Sequence, residues 1–411
     1  MDRILITGGR APVALELARQ LSQAGKKVFV ADSAPCFLTS ACRSVVKAFR
    51  VPRPRQSPQL FADAIESIVD SERIEQIIPT CEEVFYLSRF AHQLRCKTEL
   101  FCMDFEALKQ LHDKWSFSQQ ARGYGIEVPE TWLLDDLHSF NELPLPPDEL
   151  VFKPVYSRFA VHTLIKPSKT LLNKFQASAN RPWVAQRFVS GREMCSYAVA
   201  RDGKLTAHAL YEPLWRAGKS SSYYFSAVSR PAIEAFSSNF VAAKGYTGQI
   251  AFDFIEAADG KIYVLECNPR ATSGVHLFVP QDGLAAAFEP FSKSACVGES
   301  AMPGGASPRS AGVPPASAVV RPSSAQPRML ASIMAVLGPL QALRGAQFGR
   351  LISDFSRARD AVWNAGDPFP SFYSFVGIGA FLCIALREGI NPIAASTHDI
   401  EWDGQEIVRR P

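Results

Sequence analysis

Between Gln249 and Arg270 the chain can do little other than fold back on itself. Residues 249–256, Gln-Ile-Ala-Phe-Asp-Phe-Ile-Glu, alternate in polarity; a polar Ala257-Ala-Asp-Gly260 turn follows, and Ile262–Leu265 is again apolar. That pattern predicts a β-hairpin. Asp253 and Glu266 lie thirteen positions apart, a separation that a hairpin folds back so that the two carboxylates meet. Glu266 and Asn268 are two apart on an extended chain and so share one face. Pro269 stiffens the exit and presents Arg270. Two carboxylates and an amide oxygen make a hard, all-oxygen donor set suited to Mg²⁺ carrying nucleotide phosphates. Arg270 adds a fixed positive fork for a transferring phosphoryl group. The plainer alternative is a solvated hairpin whose arginine neutralises its acids.

A chain of 411 residues exceeds what one hydrophobic core holds, so two to three domains are expected. The net charge of +4 is small for this length and leaves no electrostatic footprint for nucleic acid. Nine cysteines are scattered with no C-x-x-C pair, which points to reduced thiols and a cytoplasmic protein rather than a disulfide frame or zinc site. The first strand begins within three residues, so no signal peptide is expected. The longest apolar run, Phe375–Leu386, contains Gly377 and Gly379 and falls short of the roughly 20 residues of a membrane span. It reads as a buried helix.

At the start of the chain, the apolar run 3–7, the turn Gly8-Gly9-Arg10, a helical pattern through Leu21 and a second strand 27–31 ending at Asp32 make a β-α-β unit. The spacing is not G-x-G-x-x-G, and Pro12 opens the helix, so a dinucleotide site is a minor alternative. The alternation continues with strands at 48–51 and 76–79 around a helix at 58–69. The last of these strands delivers Glu82 and Glu83 to its carboxyl end, as ligand contacts or simply as helix-start acids. Residues 104–122 read as one helix with Asp104 as N-cap and Asp113-Lys114 in its middle. Strands are expected at 131–134, 150–154, 161–165 and 183–189. Lys153 stands in an apolar strand, where a lysine is costly unless it meets an anion such as phosphate. A hairpin 194–200/205–210 turns about Asp202-Gly203. A polar loop with Arg216 and Lys219 leads to strand 223–228, helix 231–244 and the acidic hairpin. Residues 303–328 are rich in Pro, Ser, Ala and Gly and read as a disordered linker. Helices are expected at 329–343, 346–362 and 372–388. The closing Thr397–Asp403 reads as a helical tail docked by Trp402.

The order of these signals resembles the ATP-grasp ligases, in the branch of the carbamoyl-phosphate synthetase large chain and biotin carboxylase. It rests on Lys114, Lys153-Pro154, Gln186-Arg-Phe-Val189, Gly191-x-Glu193, Asp253 and Glu266-x-Asn268-Pro-Arg270, and covers roughly residues 1–280. The resemblance implies an α/β and α+β architecture. A Rossmann-like pre-ATP-grasp domain (1–103) would precede a two-lobed ATP-grasp domain (104–280; small lobe about 120–190, large lobe about 190–280) and a helical extension (281–411). It implies that Lys114 and Lys153 touch ATP phosphates, with Lys153 on the α-phosphate and adenine side. Ser157 and Arg158 would join them from a loop that lacks the glycines many members carry there. Gln186, Arg187, Phe188 and Val189 would form the hinge that reads adenine, with Gln186 where an acid is common, and Glu193 would accept the ribose hydroxyls. Asp253, in place of the usual Gln or Glu, would hold Mg²⁺, or Mn²⁺ in its place, with Glu266 and Asn268. Arg270, with Lys153, would be catalytic.

The expected activity is ATP-dependent, ADP-forming ligation. A substrate carboxylate becomes an acyl phosphate that an amine, or a thiol, then attacks; Arg216 and Lys219 are candidate substrate contacts. The partners expected are small-molecule carboxylates and amines, with no nucleic acid, no membrane span, and a homodimer as the assembly. Two rival classes are an NAD(P)-dependent oxidoreductase built on Gly8-Gly9 and Asp32, and a non-catalytic nucleotide-binding scaffold.

Overall fold

The computed structural model describes residues 1–136, 140, 142–157, 162–168, 177–178, 181–217, 221–291, 319–345 and 347–408. Two expected site residues, Arg158 and Lys219, lie outside them, as does 303–318 of the expected linker.

The N-terminal alternation builds a parallel sheet of β1 (Arg3–Thr7), β2 (Lys27–Asp32), β3 (Val45–Arg50), β4 (Gln76–Ile78) and β5 (Glu99–Leu100), in the order β3-β2-β1-β4-β5. Its central strands are apolar on both faces because both are covered. Ile4 and Ile6 share a core with helix α1 (Pro12–Gln23), whereas Leu5 packs with α2 (Pro58–Glu72) and α3 (Glu83–Arg89). The fold is therefore doubly wound. Its carboxyl edge carries the loops at Gly8–Ala11, Ser33–Phe37 and Pro79–Glu82.

After α4 (Ala91–Arg95), the stretch expected as one helix is two: α5 (Phe105–His112) and α6 (Lys114–Gln120). Asp113 breaks it, since its ψ of 111° is extended and its side chain caps the second helix by accepting from the Ser116 N–H at 2.8 Å. Lys114 consequently stands in the first turn of a helix rather than midway along one. Its own N–H donates to the Val155 carbonyl at 3.3 Å, tying it to the loop after Lys153.

A small sheet follows: β6 (Thr131–Leu134), β7 (Leu150–Pro154), β8 (Leu164–Ile165) and β9 (Trp183–Arg187), ordered β6-β9-β7-β8. The large antiparallel sheet starts with β10 (Gly191–Arg201) and β11 (Lys204–Pro213). Beyond the short ribbon β12 (Arg216–Ala217) and β13 (Ser221–Ser222) it continues through β14 (Tyr224–Ala227), β15 (Gly248–Ala257) and β16 (Ile262–Asn268). It ends in β17 (Arg328–Met329) and β18 (Arg359–Asp360), ordered β16-β15-β10-β11-β14-β17-β18. Helix Pro231–Ala243 buries Ile233, Phe236 and Phe240 against Phe252 and Phe254 of β15, which fixes that face inward. The alternate residues of β15, Asp253 among them, point the other way.

The C-terminal part departs from expectation in several places; the helix expected at 346–362 spans Phe348–Arg357 and gives way to β18. Residues 319–328 are laid along the sheet rather than loose: the Val320 N–H donates to the Thr206 carbonyl at 2.8 Å, and Arg321 pairs with Glu234. The apolar run expected to stop short of 20 residues is a helix of 20, Phe369–Glu388, long and apolar enough to cross a membrane by length and composition. Pro370 sits in its first turn, where the missing N–H costs nothing, and its glycines do not break it. Nor is this helix buried. Gly377 and Phe381 rest on the Ser33–Phe37 loop region, while Phe372, Phe375 and Leu386 face outward, Leu386 being 85% exposed. The closing segment docks by Trp402, as expected, but through turns and extended chain rather than a helix. The Trp402 ring stacks on Phe85 at 4.9 Å and meets Tyr156 edge-on at 4.9 Å.

Candidate active site

The acidic hairpin forms with Asp253 directly opposite Glu266, and Asp253 is also the register partner of Cys195 on β10. A bulge immediately after Asp253 gives β16 one extra residue. Bulges re-aim neighbouring side chains, and this one sits beside the pair that must converge. The Asn268 amide donates to Asp253 at 3.5 Å, and its oxygen accepts from Arg270 Nη2 at 3.1 Å. The four side chains named from the sequence therefore form one connected cluster.

Its electrostatics follow from burial. Desolvation, with Glu266 alongside, pushes the Asp253 carboxyl up to about 7. Burial works against ionisation of Glu266 too, but Lys114 and Lys153 outweigh it and hold that carboxyl down at about 2. Two half-buried carboxylates side by side resist ionising together unless a cation joins them. The donor set thus suits a hard divalent ion. Among the described residues no group of three or more His, Cys, Asp and Glu side chains could hold a metal. The two acids and the Asn268 amide would leave the other positions to phosphate oxygens and water, the arrangement Mg²⁺ favours.

Facing the acids are the cations. Lys114 is buried, which lowers its pKa, and its Nζ donates to the Ser157 carbonyl at 3.1 Å. Lys153 Nζ donates to Gln186 Oε1 at 3.1 Å, and Gln186 Nε2 in turn donates to Thr131 Oγ1 at 3.2 Å. Thr131 so fixes the amide with its oxygen toward the lysine. A neutral amide here orients Lys153 without cancelling its charge, a physical role for Gln186 where an acid was the commoner expectation.

One cavity of about 640 Å³ gathers these groups with Ser157, Arg187, Phe188, Val189, Glu193 and Arg216. Two contacts involve the residues expected to read the nucleotide. The Phe188 N–H donates to the Glu149 carbonyl at 2.8 Å, so within the expected hinge Val189 is the first residue clear of the strand pairing. Glu193, expected on the ribose, makes an ion pair with Arg216, so these two act together at the rim.

The parallel sheet and the helix that follows it contribute residues that the sequence did not single out for these roles. Glu82, buried at the end of β4, lies 3.5 Å from Arg270 Nε and accepts from the Trp402 N–H at 3.2 Å. Its neighbour Glu83 is structural: it accepts from the Thr7 hydroxyl at 2.7 Å and from the Thr80 N–H at 3.0 Å. His112 is buried against Phe85 and Tyr156, and desolvation lowers its pKa to about 4. No local pattern marks either role, because each partner is remote in sequence.

Comparison with known proteins finds one family model over part of the chain and several solved structures of similar fold. A family model described as an ATP-grasp domain matches residues 111–274. No curated protein sequence matches the chain. Among solved structures, an L-amino acid ligase from Bacillus licheniformis aligns with a TM-score of 0.56 at 15% identity, over 71% of this chain and 75% of that one. The N5-carboxyaminoimidazole synthetase of Staphylococcus aureus, complexed with ADP, aligns at 0.54 and 15%, over 70% and 78%. The biotin carboxylase domain of Hydrogenobacter thermophilus 2-oxoglutarate carboxylase, complexed with MgADP and bicarbonate, aligns at 0.54 and 13%, over 70% and 69%. Identities this low speak to the fold.

Proposed function

We propose that this chain, whose residues 111–274 match the model of an ATP-grasp domain, is an ADP-forming ligase that activates a substrate carboxylate with ATP and transfers the acyl group to an amine. The observation that carries this reading is the half-buried Asp253–Glu266 pair with buried Lys114, and Lys153 and Arg270, around one cavity. A cluster of charges drawn partly out of solvent is costly to a fold and is repaid where it stabilises a developing charge.

In this reading Lys114 and Lys153 orient the triphosphate, and Asp253, Glu266 and Asn268 would hold Mg²⁺ beside it, with Mn²⁺ as a substitute. When bound there, such an ion would supply charge neutralisation for the phosphates. Arg270, aimed by Asn268 and Glu82, meets the transferring phosphoryl group. The substrate carboxylate oxygen bonds to the γ-phosphorus as the bond to ADP breaks. The amine nitrogen then attacks the acyl carbon, inorganic phosphate leaves, and the nitrogen's proton goes to solvent. Phosphoryl transfer asks for positioning and charge rather than covalent help, and that is what these residues offer. Val189 and the strand exit at Phe188 are proposed to receive adenine, and Glu193 with Arg216 the ribose or the substrate. Arg158 and Lys219 keep their proposed phosphate and substrate roles from sequence alone.

The dinucleotide alternative loses its acid. Asp32 is bound by Arg10 at 2.7 Å, and the same guanidinium holds Asp399 at 2.6 Å, so Asp32 is committed inside the protein. Carboxylate-dependent release of ADP and phosphate tests the proposal. Glu266→Ala is expected to lower it by about 10²-fold or more; turnover unchanged by that substitution would remove the metal assignment.

A further inference from the structure

The cavity does not end at the phosphate site. Its far side is formed by the carboxyl edge of the parallel sheet and by the C-terminal helix Phe369–Glu388, and Val13, Leu38, Leu330, Ile333, Val362 and Ile378 give it a largely apolar wall, with the neutral hydroxyls of Ser332, Ser374 and Thr397 among them. Ala271, next in the chain after Arg270, belongs to the same buried cluster as Val13, with Leu330 packed against it. The apolar chamber therefore begins one residue from the proposed phosphoryl-transfer site. Of the described charged residues lining the cavity, Arg10 alone comes from the parallel sheet's edge, and its guanidinium is forked between Asp32 and Asp399 at 2.7 and 2.6 Å. Among the described residues, no cation there is left to receive a second carboxylate.

We propose that this chamber holds the body of the activated acid, and that the substrate is a monocarboxylate bearing an apolar group, aliphatic or aromatic, with its carboxylate toward Arg270. The inference rests on the ligase reading and adds the class of acid. It also accounts for the C-terminal region, because Tyr373, Gly377 and Ile378 roof the chamber from a helix whose opposite side faces outward. An apolar body gains by leaving water for such walls, whereas a charged one loses its hydration with nothing to replace it. Each methylene accommodated is worth roughly fourfold in kcat/KM.

Hydroxylamine serves as the acceptor in the test, because it captures any acyl phosphate as a hydroxamate whatever the natural amine is. The full-length protein is assayed with MgATP and acetate, butyrate, hexanoate, 3-phenylpropionate or glutarate. Hydroxamate formation is expected to rise from acetate to hexanoate by at least about tenfold in kcat/KM, with 3-phenylpropionate accepted and glutarate poor. Equal or better turnover of acetate or glutarate overturns the inference and leaves the ligase reading standing. No ADP release with any acid overturns both. Ile378→Glu places a charge in the chamber at a residue 39% exposed, so folding is not at stake. It is expected to raise KM for hexanoate about tenfold or more while the Kd for MgADP holds; an unchanged KM for hexanoate means that the acid lies elsewhere.

Discussion

At the scale of single residues, the proposed site is built on orientation more than on the number of its charges. Glu82 lies within 3.5 Å of Arg270, and Asn268 holds the same guanidinium from the other side. Glu82→Gln keeps an oxygen for the Trp402 N–H but removes the charge that aims Arg270. It is expected to lower kcat about tenfold with KM for ATP little changed, measured in steady-state ADP release; an equal fall in ATP affinity would place Glu82 elsewhere in the mechanism. Burial sets a second residue-level prediction. His112 and His208 are both held neutral by desolvation, with pKa values of about 4. The unfolded chain binds their protons near pH 6.5 and the folded one does not, so stability rises with pH between about 4 and 6.5 and is complete above that window. Urea midpoints are expected to climb from pH 5 to 7, and His112→Phe to flatten the climb by ~1–3 kcal/mol. The direct partners Asp253 and Glu266 were legible from sequence, because a short period-two hairpin places its own residues. Glu82 was visible only as one of two acids after a strand, since its partners Arg270 and Trp402 are far along the chain.

At the scale of elements, what could be read depended on whether the pattern was local. Strands β1, β2, β7, β15 and β16 were legible because a buried or half-buried strand writes its period into a few residues. The break between α5 and α6 was not, because Asp113 suits a helix interior and an N-cap alike until its partner N–H is known. The Phe369–Glu388 helix shows the limit most clearly: an apolar run says that a helix buries or meets something, not what covers it. Two substitutions separate its outer surface from the true core. Trp402→Ala removes a fully buried ring that stacks on Phe85 and is expected to cost ~3–5 kcal/mol in chemical denaturation. Leu386→Ser, on the exposed side, is expected to stay within about 0.5 kcal/mol of the parent. A large loss at Leu386 would mean that the outer side is covered in solution.

At the scale of the whole molecule, three layers meet in one cavity. The small sheet supplies Lys153 and the strand exit at Phe188, the large sheet supplies the acids and Arg270, and the parallel sheet supplies the chamber's edge and, behind Arg270, Glu82. The Arg10–Asp32–Asp399 cluster, buried throughout, ties the C-terminal segment back onto that edge. The sequence carried the order of these parts but not the closure of the third against the first two, which depends on contacts spanning hundreds of residues. The claim on which the rest stands is that Asp253 and Glu266 bind a divalent cation that bridges to nucleotide phosphates. Calorimetric titration of ADP with and without Mg²⁺, on the parent protein and on Glu266→Gln, tests it most directly. The account predicts that Mg²⁺ tightens ADP binding to the parent by about tenfold or more and that Glu266→Gln abolishes this gain. An ADP affinity indifferent to Mg²⁺ in the parent, or a gain that survives the substitution, would contradict it.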